Sequence, residues 1–307
     1  MRPLLWSALA IVLTTGPACR DATTGSDARD GQPRLRAVLV SDRTPQAHRP
    51  LDLSTRADQL IRGALLQPDR FVSTSLEDHS ACAAEVDLMY AWVVNGAVVA
   101  QAKAGVARIA ADAQVHCLVP KGGPEDVETF RTELVEEASY GGPGQDDGEV
   151  TLKALLDRLA ERIGARLYGQ VRMRHATDQE IRAALRGDTP PGLLMEAAAE
   201  AGERGLKDVL HEIIALTTHS DDTVVLRAAS SLGRLSNGDE TSVRALAKLL
   251  GGSDPERHLV AIQALGDLGG TRALRYLDTL TEGHPEEVIR NAARQAAARA
   301  RAGASTD

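Results

Sequence analysis

In the last third of the chain, apolar positions recur every three or four residues, the spacing that lines one side of a helix. Val243, Leu246, Ala247 and Leu250 form one such stripe, and Ala261, Ala264, Leu265 and Leu268 form the next. Turn chemistry separates them. Gly251-Gly252 stops one helix, Asp254-Pro255 supplies a cap and a first-turn proline for its successor, and Gly269-Gly270 turns the chain again. Upstream, Thr177-Asp178-Gln179-Glu180 is a capping box ahead of Ile181, Ala184 and Leu185, and Pro190-Pro191 separates that helix from Leu193 to Gly202. Leu274 and Leu277 anchor a further helix, and His284-Pro285 opens the last. The stripes are copies of one another. Ala228-Ala229-Ser230-Ser231-Leu232-Gly233 returns as Ala261-Ile262-Gln263-Ala264-Leu265-Gly266 and as Ala292-Ala293-Arg294-Gln295-Ala296-Ala297, at spacings of 33 and 31 residues. A fainter copy runs from Ala197 to Gly202. A period in this range predicts stacked helix pairs, each burying its apolar side only against its neighbours. Four pairs are expected, over residues 177–203, 204–236, 239–268 and 270–302.

The first half reads with a different period. Leu35 to Val40 is a short apolar strand, and Ser54-Thr55 opens a helix with Leu60, Ile61, Ala64 and Leu65 on one side. Phe71 to Ser75 begins a second strand. Val86, Leu88, Tyr90, Trp92 and Val94 alternate up to Asn95-Gly96, and Val98, Ala100, Ala102, Ala104 and Val106 alternate after it, which predicts a hairpin turning at Asn95-Gly96. Val115, Cys117 and Val119 make a further strand. Residues 130–140 fit either a helical face or a strand; the spacing of Phe130, Leu134, Ala138 and Tyr140 favours the strand. Gly141 to Gly148 is a loop, and residues 149–168 form a helix with Leu152, Leu155, Leu156, Leu159 and Ile163 inward. The order predicts an α+β domain over residues 34–170, an antiparallel sheet with packed helices, followed by an all-α superhelical solenoid over 177–302.

Composition narrows the functional classes. Net charge is −8, whereas a general nucleic-acid binder needs a basic surface, so no nucleic-acid partner is expected. The first 19 residues read as a signal peptide: Arg2, an apolar stretch from Leu4 to Leu13, and small residues at Gly16-Pro17-Ala18 ahead of Cys19. Residues 20–33, rich in Asp, Thr, Gly and Ser, read as a tether. With Cys19 set aside, Cys82 and Cys117 remain, either as a disulfide or as two buried thiols. His79, Cys82, His116 and Cys117 also invite a zinc reading, but adjacent strand residues point to opposite faces, so no metal is expected there. His211, His219, His258 and His284 fall in different helix pairs and suggest no metal cluster. No G-x-S-x-G, P-loop or H-E-x-x-H motif occurs, and the chain reads as a non-enzyme without a cofactor.

Two resemblances add to this reading. Residues 1–19 with Cys19 resemble a bacterial lipoprotein signal, which implies a lipid on Cys19, a membrane anchor and a place on the periplasmic face of the outer membrane. The repeated Ala-rich motifs resemble HEAT repeats of the armadillo-type superhelix, including the short HEAT-like class named after phycobilisome lyases. That implies a solenoid which binds a protein partner along its second helices. Arg227, Ser231, Arg234, Gln263 and Arg294 are the residues expected to make the contact, with Arg227 and Arg290 alternatively serving an inter-repeat Asp–Arg ladder. Two rivals stand beside the scaffold. One is a bilin lyase-type activity, suggested by the lyase branch of the resemblance. The other is small-ligand or glycan binding by the α+β domain, where Trp92 is the aromatic able to stack on a sugar, although Val86, Leu88 and Val94 in the same alternation point to a core role.

Overall fold

A computed structural model describes residues 32–45, 52–99, 102–119, 126–141, 147–236 and 238–303. The signal peptide, Cys19 and most of the tether lie outside the described residues. The elements in chain order are β1 (Arg34–Asp42), α1 (Ser54–Leu65), β2 (Val72–Ser73), β3 (Cys82–Val99), β4 (Ala102–Leu118), β5 (Val127–Tyr140) and α2 (Gly148–Arg174). There follow α3 (Asp178–Arg186), α4 (Pro191–Arg204), a short 3-10 turn into α5 (Leu210–Leu216), α6 (Asp222–Leu235), α7 (Glu240–Leu249), α8 (Pro255–Leu268), α9 (Gly270–Gly283) and α10 (Glu287–Gly303).

The five strands form one sheet in the order β2-β1-β3-β4-β5. β3, β4 and β5 pair antiparallel, whereas β1 runs parallel to both β2 and β3. The sheet is therefore mixed, because α1 carries the chain across between β1 and β2 as a parallel crossover requires. Three sequence expectations change in detail. The run from Val98 to Val119 is not two strands: β4 is continuous over 17 residues. The predicted strand over 71–75 reduces to Val72 and Ser73. The reversal also does not fall at Asn95-Gly96. β3 passes through those residues, Val99 pairs with Ala102, and the register shifts between Asn95 and Val98. The dipeptide sits in a bulge, another place where one extra residue and a glycine are accommodated within a strand.

A second register shift, between Leu88 and Tyr90, redirects the alternation. Val86 and Leu88 are buried under the helices, Met89 is the extra residue, and Ala91 resumes the buried side. Trp92 therefore does not share a face with Val86 and Leu88 as the plain alternation suggests. Tyr90 and Trp92 lie on the opposite face with Val94, which is 56% exposed. Their rings stack at 4.5 Å between centroids, and the Arg108 guanidinium lies 5.7 Å from the Tyr90 ring centre.

Helix α2 joins the two halves. Its N-terminus is capped by Asp147, whose carboxylate accepts from the Val150 amide at 2.8 Å. Leu152, Leu155, Leu156, Leu159, Ile163 and Leu167 are fully buried and cover the sheet with α1. Each such side chain contributes about 1.5–3 kcal/mol of burial. Val171 belongs to the core under the sheet, while Met173, two residues on, belongs to the solenoid core. The opposite side of α2 carries α4, and α4, α6, α8 and α10 then stack in sequence. α2 is thus the first member of the row formed by the second helices. The first helices, α3, α5, α7 and α9, form an outer row that is more loosely packed.

The helix boundaries follow from the capping residues read in the sequence. The Thr177 hydroxyl accepts from the Glu180 amide at 3.3 Å while Glu180 accepts from the Thr177 amide at 2.7 Å, closing the capping box of α3. Asp254 caps α8 with Pro255 in the first turn, and Asp221 and Asp239 cap α6 and α7. Cys82 and Cys117 stand opposite one another on β3 and β4 and form a disulfide, with Cα atoms 4.3 Å apart. Both sulfurs are thereby committed, which leaves His79 and His116 no thiol partner for a metal site. Among the described residues no helix is long and apolar enough to cross a membrane.

Candidate protein-binding trough

The row of second helices presents a trough on the side away from the outer row. One stretch, of about 300 Å3, is lined by Arg166 of α2, Met195 of α4, Leu226 and Arg227 of α6, and Val260 and Gln263 of α8. A second stretch, of about 370 Å3, shares Arg166, Met195 and Thr223 with the first and continues past Pro190 and Pro191 to Leu134 of β5. The shared residues make the trough continuous from the sheet to the third helix pair. Its walls interleave apolar side chains with charges of both signs, among them Arg166, Arg227, Glu256 and Asp267, as in the polar, solvent-facing part of a protein contact.

Of the five residues expected to contact a partner, the structure brings Arg227 and Gln263 together in this trough. Ser231 is corrected. It is 3% exposed, and its hydroxyl donates to the Ala198 carbonyl of α4 at 2.7 Å. The reason is steric. Helices α4 and α6 approach so closely at Gly202 that only a small residue fits opposite, so Ser231 is a packing residue. Arg234 lies at the far end of α6 and pairs with Glu203 of α4. Arg294 is exposed on α10, where it donates to the Asn291 side chain at 2.8 Å, outside the trough.

The inter-repeat ladder exists but uses other arginines than those expected. Arg182 bonds Asp208 at 2.7 Å, Arg186 bonds Glu212 at 2.6 Å, Arg234 pairs with Glu203 and Arg257 with Asp222, while Arg204 bonds Asp178 at 3.1 Å within the first pair. Arg290 instead donates to the carbonyls of His284 and Pro285, each at 2.7 Å, closing the turn before its own helix. Arg227 has no ion pair within 4.0 Å among the described residues, which leaves its charge available at the trough.

Sequence reasoning missed the polar floor beneath Arg227. Glu196 of α4 is 7% exposed and its carboxylate lies 3.3 Å from Nε of Arg166. Burial pushes the Glu196 carboxyl above the ordinary glutamate range, with the charges of Arg166 and Arg227 opposing that rise. Burial likewise lowers the Arg166 guanidinium, against the pull of Glu196. Desolvation thus outweighs mutual attraction on both partners. Glu196 sits inside an Ala-rich stripe, and the i, i+4 pair of Glu196 and Glu200 on a buried helix was the available signal. The structure also brings His258 and His284 to 5.6 Å between ring centres, although they belong to successive helix pairs. His258 bonds the Gly252 carbonyl at 2.9 Å, and no group of three metal-binding side chains occurs among the described residues.

The stack of helix pairs, with its inner row packed through small residues and its cross-repeat ion pairs, defines an α-solenoid attached to an α+β unit. Residues 179–266 match the family model for HEAT repeats, and that segment has HEAT-repeat character. No curated protein matches the chain significantly.

Proposed function

We propose that this is a non-enzymatic envelope protein whose solenoid holds another protein in the trough across α2, α4, α6 and α8. The observation that carries the reading is the placement of Arg227 and Gln263. Two residues from different repeats line one continuous trough, and Arg227 has no ion pair of its own. HEAT repeats commonly serve protein interaction, and the net charge of −8 disfavours nucleic acid as the partner. Location rests on the sequence: the signal-like segment ending at Cys19 supports export and lipid anchoring at the periplasmic face of the outer membrane.

Full-length protein carrying Arg227→Glu together with Gln263→Glu tests the reading. Because Arg227→Glu also sets a carboxylate near buried Glu196, its melting temperature should fall somewhat, and Arg227→Gln, which adds no negative charge, is the companion variant that separates lost contact from lost fold. Affinity purification from the native cells should retain a specific partner with the wild type and lose it with the double variant. Equal retention by both would rule out the trough as the docking surface.

A second reading is favoured by one observation. The bulge at Met89 places the stacked Tyr90–Trp92 pair on the sheet face opposite the helices, where an aromatic platform suits a sugar ring or another small planar ligand. Trp6 and Trp92 are the two tryptophans of the chain, so after removal of the signal peptide Trp92 alone reports on this face. Saturable quenching by an envelope glycan supports this reading, and a flat titration removes it.

A further inference from the structure

The outer row of helices carries a regular charge pattern that breaks at one place. Asp208, Glu240 and Arg272 occupy equivalent positions 32 residues apart, and so do Glu212, Arg244 and Tyr276. Between α3 and α5 the pattern is neutralised, since Arg182 meets Asp208 and Arg186 meets Glu212. Between α7 and α9 it is not. Glu240 accepts from Arg244 at 2.8 Å through one carboxylate oxygen and pairs with Arg272 through the other. Where an acid would meet Arg244 in turn, the sequence places Tyr276, with Arg275 beside it.

The result is a cleft of about 450 Å3 lined by Glu240, Val243, Arg244, Arg272, Arg275 and Tyr276, together with Thr279. Three guanidinium groups face a single carboxylate. Arg272, Arg275, Tyr276 and Thr279 follow the i, i+3, i+4, i+7 spacing of one helical face, so the row is built into α9. Glu240 holds two guanidiniums in place while using a fraction of their N–H donors, since each guanidinium offers five. Arg275 has no ion pair among the described residues, and Tyr276, 44% exposed, adds a phenolic hydroxyl. The Glu240 carboxyl lies below the ordinary glutamate range because Arg272 and then Arg244 bond it, so it remains ionised and still leaves a surplus of positive charge.

We propose that this cleft between α7 and α9 is a binding site for a phosphate group, carried by a phosphomonoester or phosphodiester. A carboxylate is satisfied by one forked arginine, whereas a phosphate offers more acceptor oxygens and a larger charge, matching converging guanidiniums and a phenol. The volume falls in the range of sites that hold a small organic ligand, so the phosphate would arrive with its ester group. The source is either a soluble phosphate ester or an anionic lipid headgroup. The site faces away from the trough and is independent of it.

The test uses the whole purified protein with Cys19→Ser, so that no lipid anchor carries it onto vesicles, compared with the same protein bearing Arg275→Glu, Arg244→Glu or, as a control on helix α1, Arg62→Glu. Glycerol 3-phosphate and succinate are titrated calorimetrically at low salt, and vesicles of phosphatidylglycerol or phosphatidylcholine are co-sedimented with the protein. Expected is saturable binding of glycerol 3-phosphate, or of phosphatidylglycerol vesicles alone, in the parent protein and in Arg62→Glu. Either cleft variant should weaken it by about tenfold or more, the loss of one charged contact. The first pattern assigns a soluble ester and the second a headgroup. Equal binding of succinate, binding unaffected by both cleft variants, or no binding to either phosphate source overturns the proposal. Unchanged melting temperatures in the variants keep a loss of binding from being a loss of fold.

Discussion

Gly233 of α6 and Ala264 of α8 meet with no space between them: a Cβ placed on the glycine would stand 3.0 Å from the alanine Cα and 3.1 Å from its carbonyl oxygen. The same contact recurs one repeat later, where a Cβ on Gly266 would lie 2.9 Å from the Ala296 Cβ. These glycines close the repeated motif, so the period seen in the sequence is a period of close helix approach. Because Ala264 offers backbone rather than a flexible side-chain tip, the helices themselves must move to admit a methyl group.

Gly233→Ala and Gly266→Ala should each therefore destabilise the protein by about 1–3 kcal/mol, as overpacking does. The expected fall in melting temperature is about 2–4 °C per kcal/mol. Gly252→Ala, where an added Cβ meets nothing within 4 Å, is the control and should be neutral or better. Equal melting temperatures for all three would mean that the inner row is not packed through these residues.

Ser231→Ala should cost about 1 kcal/mol by removing the hydroxyl that bonds the Ala198 and Arg227 carbonyls. It should leave partner retention intact, in contrast to Arg227→Glu. A Ser231→Ala protein that is fully stable but loses its partner would show that this residue faces the interface.

Acid should weaken the joint between α2 and α3. Arg172 bonds the Glu180 carboxylate at 2.5 Å, and with the Thr177 amide and hydroxyl it lowers the Glu180 carboxyl from 4.5 to about 2. A folded-state value below the unfolded one gives stability that is present above the unfolded value and lost as pH falls through the folded value. Glu180→Gln should accordingly melt below the wild type from neutral pH down to about 5, with the gap closing toward about pH 2. The Glu180 side chain is 43% exposed, so the gap should stay under about 1 kcal/mol. A gap independent of pH would assign the effect to the cap alone.

The Arg166–Glu196 pair predicts a non-additive cycle. Glu196→Leu alone strands a half-buried guanidinium, and Arg166→Met alone strands a buried carboxylate. Each should cost on the order of 2 kcal/mol, less than the ~3–5 of fully buried pairs because the Arg166 side chain keeps 24% exposure. The double variant should lie near wild-type stability or above it. Additive losses, checked by urea denaturation of all four proteins, would contradict the picture of two charges held apart from water at a net cost.

Local signals made much of this fold legible. Thr177 and Glu180, Asp254-Pro255 and the motif glycines mark helix ends and contacts by chemistry within a few residues, and the structure places those ends there. Register was less legible. Asn95-Gly96 has the residues of a turn but lies in a bulge, and the extra residue at Met89 moves Trp92 to the other face; both depend on what the partner strand offers. Side-chain partners were the least legible. Arg257 rather than Arg227 reaches Asp222, because the ladder is decided by the angle between successive helices, which the sequence period does not specify. The α7–α9 cleft was hidden for the same reason: Arg244 and Arg275 are unremarkable surface arginines until the helices face each other.

The most direct test of the scaffold reading is site-specific photo-crosslinking in the native cells. A photoreactive residue at Gln263 in the trough is compared with one at Thr241, exposed on the outer row. The account predicts one protein adduct that forms at position 263, is absent at 241 and disappears when Arg227→Glu is added. An adduct formed equally at both positions, or one indifferent to Arg227, would contradict it.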